Sequence, residues 1–135
     1  NARFMQTGPK VGSFDAGWGT ALLSRTVGEK KAREIWYLND VYTAEQAVQM
    51  GLINKAVPMA ELDAAVTQWT DTLAERSPTA LAFLKRSFNA DSDSIRGISN
   101  MALHAVKLYY DTAESKEGVN AFNEKRKPDF HKFVE

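Results

Sequence analysis

The second half of the chain, from Pro58 onward, is a succession of helix patterns, whereas the first half offers only two short strand candidates, residues 4–7 and 52–57. A single pair of strands is at best marginally stable, and helices with one apolar face need a surface that covers it. The pattern therefore predicts an α/β chain that completes its structure either with polypeptide upstream of Asn1 or in a tight oligomer.

Glycines and helix caps set the boundaries of the short helices in the first half. A Gly-rich turn over residues 11–19 leads into a helix that ends at Gly28, and a second helix is predicted over residues 30–38. Thr43 and Gln46 have the spacing of a capping box, in which each side chain bonds the backbone amide of the other residue. A third helix is therefore predicted to begin at this point.

Gly51 supplies a left-handed stop for the third helix, and the strand candidate 52–57 follows and ends at Pro58. Beyond Pro58, apolar residues recur every three or four positions, as on one face of a helix. The clearest stripe consists of Leu62, Val66, Trp69 and Leu73. Three further helices are predicted: one that starts at Ser77-Pro78, one that carries Ile95 to Tyr109, and a last one from Lys116 to about Glu124, capped by Ser115 or its neighbours.

Composition excludes several classes of protein. Lys and Arg together number 17, as do Asp and Glu, so the chain has no global field that recruits nucleic acid or an anionic membrane. It has no Cys, which excludes disulfides and thiolate sites and fits a reducing cytoplasm. No apolar run approaches the ~20 residues of a membrane span. Since neither His104 nor His131 has a partner at metal-ligand spacing, we expect a cytoplasmic chain without a metal site.

The run from residue 4 to Pro58 resembles the second half of the crotonase (enoyl-CoA hydratase) core. The matching residues are Val27-Gly28, Ala44, Ala47, Gly51, Leu52, Ile53 and Pro58. The resemblance implies the C-terminal part of a ββα spiral core over residues 1–57 and a C-terminal helical oligomerisation region over residues 58–135. It also implies that the family's N-terminal half, with most of the CoA site and the backbone oxyanion hole, lies outside this sequence.

Motifs at both ends of the chain are similar to one branch of the crotonases, the 1,4-dihydroxy-2-naphthoyl-CoA synthases (naphthoate synthases). These motifs are QTGPKVGSFD at 6–15, GWG at 17–19, KAREIW at 31–36 and EGVNAFNEKRKPDF at 117–130. The resemblance implies a lyase of menaquinone biosynthesis that closes o-succinylbenzoyl-CoA to 1,4-dihydroxy-2-naphthoyl-CoA by an intramolecular Claisen (Dieckmann-type) condensation. It also implies a homo-oligomer, either a trimer or a hexamer.

Gly8 stands where related enoyl-CoA hydratases carry a Glu that acts as an acid or a base. In the branch with Gly at this place, the resemblance implies that a bound bicarbonate is the base. The residues Gln6, Thr7 and Trp36 would hold it, because all three side chains offer N–H or O–H donors. The simpler alternative is that Gly8-Pro9 is only a turn and that Trp36 is only a core residue.

Ser13 and Asp15 lie in the Gly-rich turn, where side chains can project into a cavity. By resemblance, Ser13 and Thr7 bind the substrate, and Asp15 lies against the carboxylate that is attacked. Since two neighbouring carboxylates do not both stay charged at low cost, Asp15 is a candidate proton donor for the dehydration. The alternative is that Asp15 caps the next helix, and the two roles are compatible.

Two residues near the C-terminus complete the site that the resemblance implies. Tyr110 is a catalytic hydroxyl that supports the developing oxyanion, with delivery into a neighbouring subunit's site as one option. Lys125 contacts a phosphate of CoA. The alternative for Tyr110 is a surface tyrosine beside a core Tyr109. The alternative for Lys125 is a solvated basic helix end, which is also what we predict for Arg126 and Lys127.

Two other functions stay open. The first is a different crotonase, a hydratase, hydrolase or isomerase on another acyl-CoA, although hydratases usually carry Glu and Pro in place of Gly8 and Asp15. The second is a non-catalytic assembly module, because the segment expected to supply the oxyanion hole is outside this sequence. In either case we expect the 135-residue chain alone to be inactive.

Overall fold

The computed structural model describes residues 1–134, which form a mostly helical α/β structure. In chain order the elements are β1 (Arg3–Phe4), α1 (Gly19–Val27), α2 (Glu29–Leu38), β2 (Tyr42–Thr43), α3 (Ala44–Gln49), α4 (Leu62–Ala74), α5 (Pro78–Ala90), α6 (Arg96–Tyr109) and α7 (Ala113–Asn123). Short 3-10 turns cover Gly8–Val11, Met59–Glu61, Asp93–Ile95 and His131–Phe133. The strands β1 and β2 pair antiparallel, with Arg3 opposite Thr43 and Phe4 opposite Tyr42.

Local signals in the sequence predict the first three helices correctly. The boundaries of α1 and α2 agree with the prediction to within a residue or two. The capping box at the start of α3 is confirmed: the Gln46 amide donates to the Thr43 hydroxyl at 3.2 Å, and the Thr43 amide donates to the Gln46 side chain at 2.8 Å. Gly51 has the predicted left-handed backbone, with φ of 76°.

The predicted strand over residues 52–57 is wrong. The amides of Leu52 and Ile53 donate to the carbonyl of Ala47 at 2.9 and 3.3 Å, so they close the end of α3 and do not join a sheet. A strand needs a ladder of hydrogen bonds to a neighbouring strand. Among the described residues only β1 and β2 pair with each other, so this segment has no such neighbour.

Two element boundaries also differ from the prediction. The strand candidate over residues 4–7 ends at Phe4, because the carbonyl of Thr7 accepts hydrogen bonds from two amides of the 3-10 turn that follows. The last helix begins about a turn earlier than predicted. Its cap is Thr112, whose hydroxyl accepts from the Ser115 amide at 3.2 Å, and the Ser115 side chain has a different partner.

The buried side chains lie in α2, β2, α3 and one face each of α6 and α7. The apolar ones are Ala32, Ile35, Tyr42, Ala47, Ala102, Val106 and Ala121. Helix α1 packs against α2, and α7 packs against the 3-10 turn of residues 8–11. Helices α4 and α5 contain no buried residue. Within residues 1–134, none of the helices combines the length and the apolar character that crossing a bilayer requires.

Candidate functional site

The Gly-rich turn after β1 lies in direct backbone contact with α7. Gly12 has a left-handed conformation with φ of 73°, and a Cβ on it would lie only 2.5 Å from the carbonyl oxygen of Ser115. A Cβ on Gly118 would overlap the amide nitrogen of Gly12. The Ser115 hydroxyl donates to the Gly12 carbonyl at 2.8 Å in a buried position. Because only glycine fits at both places, α7 approaches the turn closely enough to fix its geometry.

This contact brings together two hydroxyl groups that are distant in the sequence. The hydroxyl oxygens of Ser13 and Tyr110 are 2.8 Å apart, and either can donate to the other. Tyr110 follows the last residue of α6, and its neighbour Tyr109 packs edge-on against Phe14 with ring centroids 5.5 Å apart. The Tyr110 side chain is exposed, so a ligand can reach it. The Ser13–Tyr110 pair forms within a single chain.

A cavity of about 500 Å³ opens beside the Ser13–Tyr110 pair. Its wall consists of Thr7, Val11, Ser13, Tyr110, Val119 and Phe122. Three hydroxyl side chains thus line a wall that is otherwise apolar, an arrangement typical of sites that enclose an apolar ligand and orient it with a few polar groups. The structure therefore brings together three residues that the sequence singled out, namely Thr7, Ser13 and Tyr110.

Asp15 belongs to the same turn, but its carboxylate is directed at the start of α1. One oxygen accepts from the amides of Gly17 and Gly19 at 3.0 and 3.3 Å, and the other accepts from the amide and hydroxyl of Thr20 at 2.7 and 2.9 Å. Partial burial raises the pKa of Asp15, but these hydrogen bonds outweigh burial and hold the pKa below its ordinary value. The capping role is therefore present, and the proton-donor role stays a prediction.

The three residues predicted to hold an anion line different cavities. The indole N–H of Trp36 is buried and has no hydrogen-bond partner among the described residues. The Trp36 ring and the Asp15 carboxylate both lie against Gly19, where a Cβ would be 3.2 and 3.1 Å from them. Gln6 lines a cavity of about 380 Å³ whose wall also includes Phe4 of β1 and Tyr42 of β2, whereas Thr7 lines the cavity beside Ser13. The donor of Trp36 is thus available, but the structure does not bring the three side chains to one wall.

Gly8 has a steric role of its own in the turn. A Cβ at this position would lie 3.1 Å from the carbonyl oxygen of Ser13 and 3.3 Å from the Cα of Phe14. The Ser13 amide donates to the Gly8 carbonyl at 2.8 Å. A longer side chain here would therefore shift the segment that carries Ser13. The turn interpretation of Gly8-Pro9 is observed, as a 3-10 turn.

One member of the basic cluster after α7 has a buried partner. Arg126, which the sequence assigned to the surface, pairs with Glu117, whose side chain is only 8% exposed. Hydrogen bonds from Arg126, from the Asp129 amide and from Lys132 hold the pKa of Glu117 well below its usual range. Lys125 has a left-handed backbone with φ of 55°, directly after the helix that supplies Val119 and Phe122 to the cavity wall.

Sequence reasoning missed Glu117 because no local pattern marks it. Its partner Arg126 lies nine positions away, which is too far for a contact on one helix face. The available signal was the spacing of the small residues Ser115, Gly118 and Ala121, which marks one face of α7 as closely packed. Glu117 is buried beside that face.

Comparison with known proteins identifies the family. A sequence model of the enoyl-CoA hydratase/isomerase family matches residues 1–132. The chain is similar to carnitinyl-CoA hydratase from Mycobacterium avium at 23% identity and a TM-score of 0.86, covering 95% of this chain and 51% of that one. It is similar to an enoyl-CoA hydratase from Mycobacterium avium subsp. paratuberculosis K-10 at 25% identity and a TM-score of 0.84, covering 96% and 53%.

A third similar structure is methylmalonyl-CoA decarboxylase in complex with 2-nitronate-propionyl-CoA, at 27% identity and a TM-score of 0.80, covering 95% of this chain and 50% of that one. The chain thus spans about half the length of these three proteins. The predicted fold class, a crotonase-like α/β fold, is confirmed. Because the family match extends over nearly the whole sequence, the chain belongs to the enoyl-CoA hydratase/isomerase (crotonase) family.

Proposed function

We propose that the protein binds an acyl-CoA and closes o-succinylbenzoyl-CoA to 1,4-dihydroxy-2-naphthoyl-CoA, as a lyase of menaquinone biosynthesis. The observation that carries the proposal is the Ser13–Tyr110 hydroxyl pair on the wall of a largely apolar cavity. An aromatic acyl group suits such a wall, and two hydroxyls can orient a thioester oxygen. Membership of the crotonase family supports an acyl-CoA as the substrate class.

Ring closure requires three chemical events. The carbon beside the thioester loses a proton, the resulting enolate carbon bonds to the carbon of the free carboxylate, and one water molecule leaves as the new ring becomes aromatic. Negative charge develops on the thioester oxygen in the first event and on the attacked carboxyl group in the second. Donors that point at these oxygens lower the barriers, and a single donor typically contributes about 10²–10³-fold in rate.

Tyr110 and Ser13 are the proposed donors. A neutral phenol or alcohol can donate to an oxyanion without losing its own proton first. In the structure each hydroxyl is held by the other at 2.8 Å, and a substrate oxygen can replace either partner. Thr7 adds a third hydroxyl to the same wall, and Val119 and Phe122 supply apolar surface beside it.

The base that we propose is bicarbonate. The six side chains that line the cavity include no carboxylate, so the proton of the acidic carbon needs another acceptor. The indole N–H of Trp36 has no hydrogen-bond partner among the described residues and can donate to an oxyanion. Gln6 and Thr7 line other cavities, so their side chains would have to move to donate to the same anion. Bicarbonate held by these residues would supply a basic oxygen.

Asp15 and Lys125 complete the proposed site. Asp15 would donate a proton to the departing oxygen once the substrate carboxylate lies beside it, because that second negative charge raises the pKa that its hydrogen bonds now lower. Normal turnover in an Asp15→Asn variant would leave Asp15 with the capping role alone. Lys125 follows α7 and would form an ion pair with a phosphate of CoA.

We further propose that the protein assembles as a homo-oligomer, a trimer or a hexamer, through the apolar surface of α4 and α5. The exposed apolar side chains of these helices are Leu62, Val66, Trp69, Leu73, Phe83, Leu84 and Phe88. Exposed apolar side chains in this number mark a surface that is covered by other polypeptide, and a second copy of the chain is the occupant that we propose. The same surface would serve the alternative function, a non-catalytic assembly module.

The experiment gives the full-length protein either o-succinylbenzoyl-CoA or crotonyl-CoA. We expect a naphthoyl product from the first and negligible hydration of the second. Hydration of crotonyl-CoA without ring closure would indicate a hydratase of the same family instead, and no reaction with either would leave a crotonase for another acyl-CoA or the assembly module. The comparison therefore separates ring closure from hydration.

A Tyr110→Phe variant tests whether the Ser13–Tyr110 hydroxyl pair takes part in the reaction. We expect kcat to fall by about 10²-fold with an unchanged melting temperature, because the variant removes a donor from an exposed side chain. Tyr37→Phe is the matched control, since Tyr37 is also exposed but lines no part of this cavity. Equal turnover in the two variants would remove Tyr110 from the mechanism.

A further inference from the structure

Glu117 binds four donors from the segment that follows α7. Its side chain is 8% exposed, and its oxygens accept from the Asp129 amide at 3.0 Å, from Lys132 at 3.1 Å and from both terminal nitrogens of Arg126. These donors lie 9, 12 and 15 residues after Glu117. The segment 126–132 therefore folds back onto α7, and this one carboxylate binds it at three separate residues.

The helical turn of α7 that contains Glu117 also packs against the Gly-rich turn that carries Ser13. Ser115 donates to the carbonyl of Gly12, and Gly118 leaves no room for a side chain between α7 and Gly12. Glu117 lies between these two residues in the sequence. The segment 126–132 is thus connected to Gly12 through a single turn of helix, and Ser13 follows Gly12 directly.

We propose that Glu117 is a positioning residue that couples the segment 126–132 to the Ser13–Tyr110 pair. Without its negative charge, Arg126 and Lys132 lose their shared acceptor, and the segment no longer holds α7 against Gly12. The two hydroxyls then separate, since one is carried by the turn and the other by the residues that lead into α7. This inference rests on the proposed function, because it assigns Glu117 an effect on turnover through Tyr110.

The low exposure of Glu117 distinguishes it from an ordinary surface ion pair. Glu124 also accepts from Arg126, at 2.6 Å, but its side chain is 60% exposed. Exposed ion pairs contribute little to stability, whereas a buried carboxylate that loses its donors keeps an uncompensated charge. Glu124 shares only Arg126 with Glu117 and is exposed, so it is the control for the loss of one exposed bond to this arginine.

The first measurement is hydrogen exchange of the backbone amides of residues 113–122 in the full-length protein. We expect Glu117→Gln to accelerate this exchange about tenfold and Glu124→Gln to leave it unchanged. Lys132→Met, which removes a single donor, should give a smaller acceleration, and it serves as the second variant if Glu117→Gln does not fold. If residues 113–122 exchange at the wild-type rate both in Glu117→Gln and in the Lys132 variant, the proposal is overturned, whatever the activity assays show.

The second measurement combines Glu117→Gln with Tyr110→Phe in a double-mutant cycle on kcat. A displacement of catalytic groups by about 1 Å can cost about 10²-fold, so we expect Glu117→Gln to lower kcat by 10- to 100-fold with a smaller change in KM. In the Tyr110→Phe background the further loss should be below about threefold. An equal loss in both backgrounds would show that Glu117 does not act through Tyr110.

The two measurements separate failure of this inference from failure of the proposed function. If Tyr110→Phe alone leaves kcat unchanged, the proposed function of Tyr110 is rejected, and with it the catalytic part of the coupling. The exchange rates then still decide whether Glu117 holds α7 in place. If Tyr110→Phe lowers kcat and Glu117→Gln does not, the proposed function stands and the positioning role of Glu117 is rejected.

Discussion

Residues 1–50 and the helix pair α4–α5 both contain amphipathic helices, but only the first region buries residues of those helices, in α2 and α3. In α2 and α3, Ile35 is 3% exposed and Ala47 is fully buried. In α4 and α5, Trp69, Phe83 and Phe88 are 49, 63 and 78% exposed. Amphipathic spacing thus indicates that a face will be covered, but it does not indicate which surface covers it.

The difference between the regions corresponds to a difference in what each can do. Where the chain covers itself, backbone meets backbone at Gly12 and Gly118, and such contacts can hold Ser13 and Tyr110 at hydrogen-bonding distance. Where it does not, an apolar groove of about 280 Å³ runs between α4 and the segment that precedes it. The proposed chemistry thus lies in the first region together with α7, and the proposed association surface lies on α4 and α5.

The largest effect is expected for Gly118→Ala, which adds a methyl group where α7 touches the Gly-rich turn. Since that methyl would overlap the backbone of Gly12, we expect the free energy of unfolding to fall by about 3 kcal/mol. Gly97→Ala in α6 is the matched control, because nothing lies within 4 Å of its new Cβ. Urea denaturation measures both, and equal midpoints would contradict the close packing of α7 on the turn.

The next effect is the dependence of stability on pH through Glu117. Its pKa is lower in the folded chain than the ordinary value of 4.5, so its contribution to the free energy of unfolding is complete above that value. The contribution is lost as the pH falls below 4.5 and through the folded pKa. Denaturation midpoints of the wild type and Glu117→Gln should therefore differ at neutral pH and converge in acid. A constant difference down to about pH 3 would contradict this.

The smallest effect on stability is expected for Phe88→Ser in α5. The side chain is 78% exposed, so the free energy of unfolding of the dissociated chain should change by only about 0.5 kcal/mol. Association of the full-length protein should weaken, which sedimentation velocity measures over a range of concentrations. An unchanged association constant would remove Phe88 from the proposed interface.

The features that could be predicted from the sequence are the local ones. The capping box of Thr43 and Gln46 and the left-handed Gly51 depend on residues within one turn, so their spacing was sufficient. The prediction of a strand over residues 52–57 is wrong because a strand forms only beside a second strand, and that second strand is not encoded in the local sequence. Short apolar segments therefore need tertiary information that their own residues do not carry.

The candidate site divides in the same way. Ser13 and Tyr110 are 97 positions apart, and only resemblance to a family could select both, because no spacing rule connects them. Arg126 lies at the surface as predicted, but its pairing with Glu117 could not be predicted, because that pairing depends on the fold of the segment after α7. Asp15 was predictable as a cap, because the amides that it accepts from follow within five residues.

The most direct test of the central claim is the rate of naphthoyl-CoA formation from o-succinylbenzoyl-CoA by the full-length protein, measured in carbonate-depleted buffer and after addition of bicarbonate. The account predicts a rate that falls on depletion and recovers with bicarbonate, and a Trp36→Phe variant that needs more bicarbonate for the same recovery, because the buried indole N–H is then missing. A rate that does not respond to bicarbonate, or the absence of any ring-closed product, would contradict it.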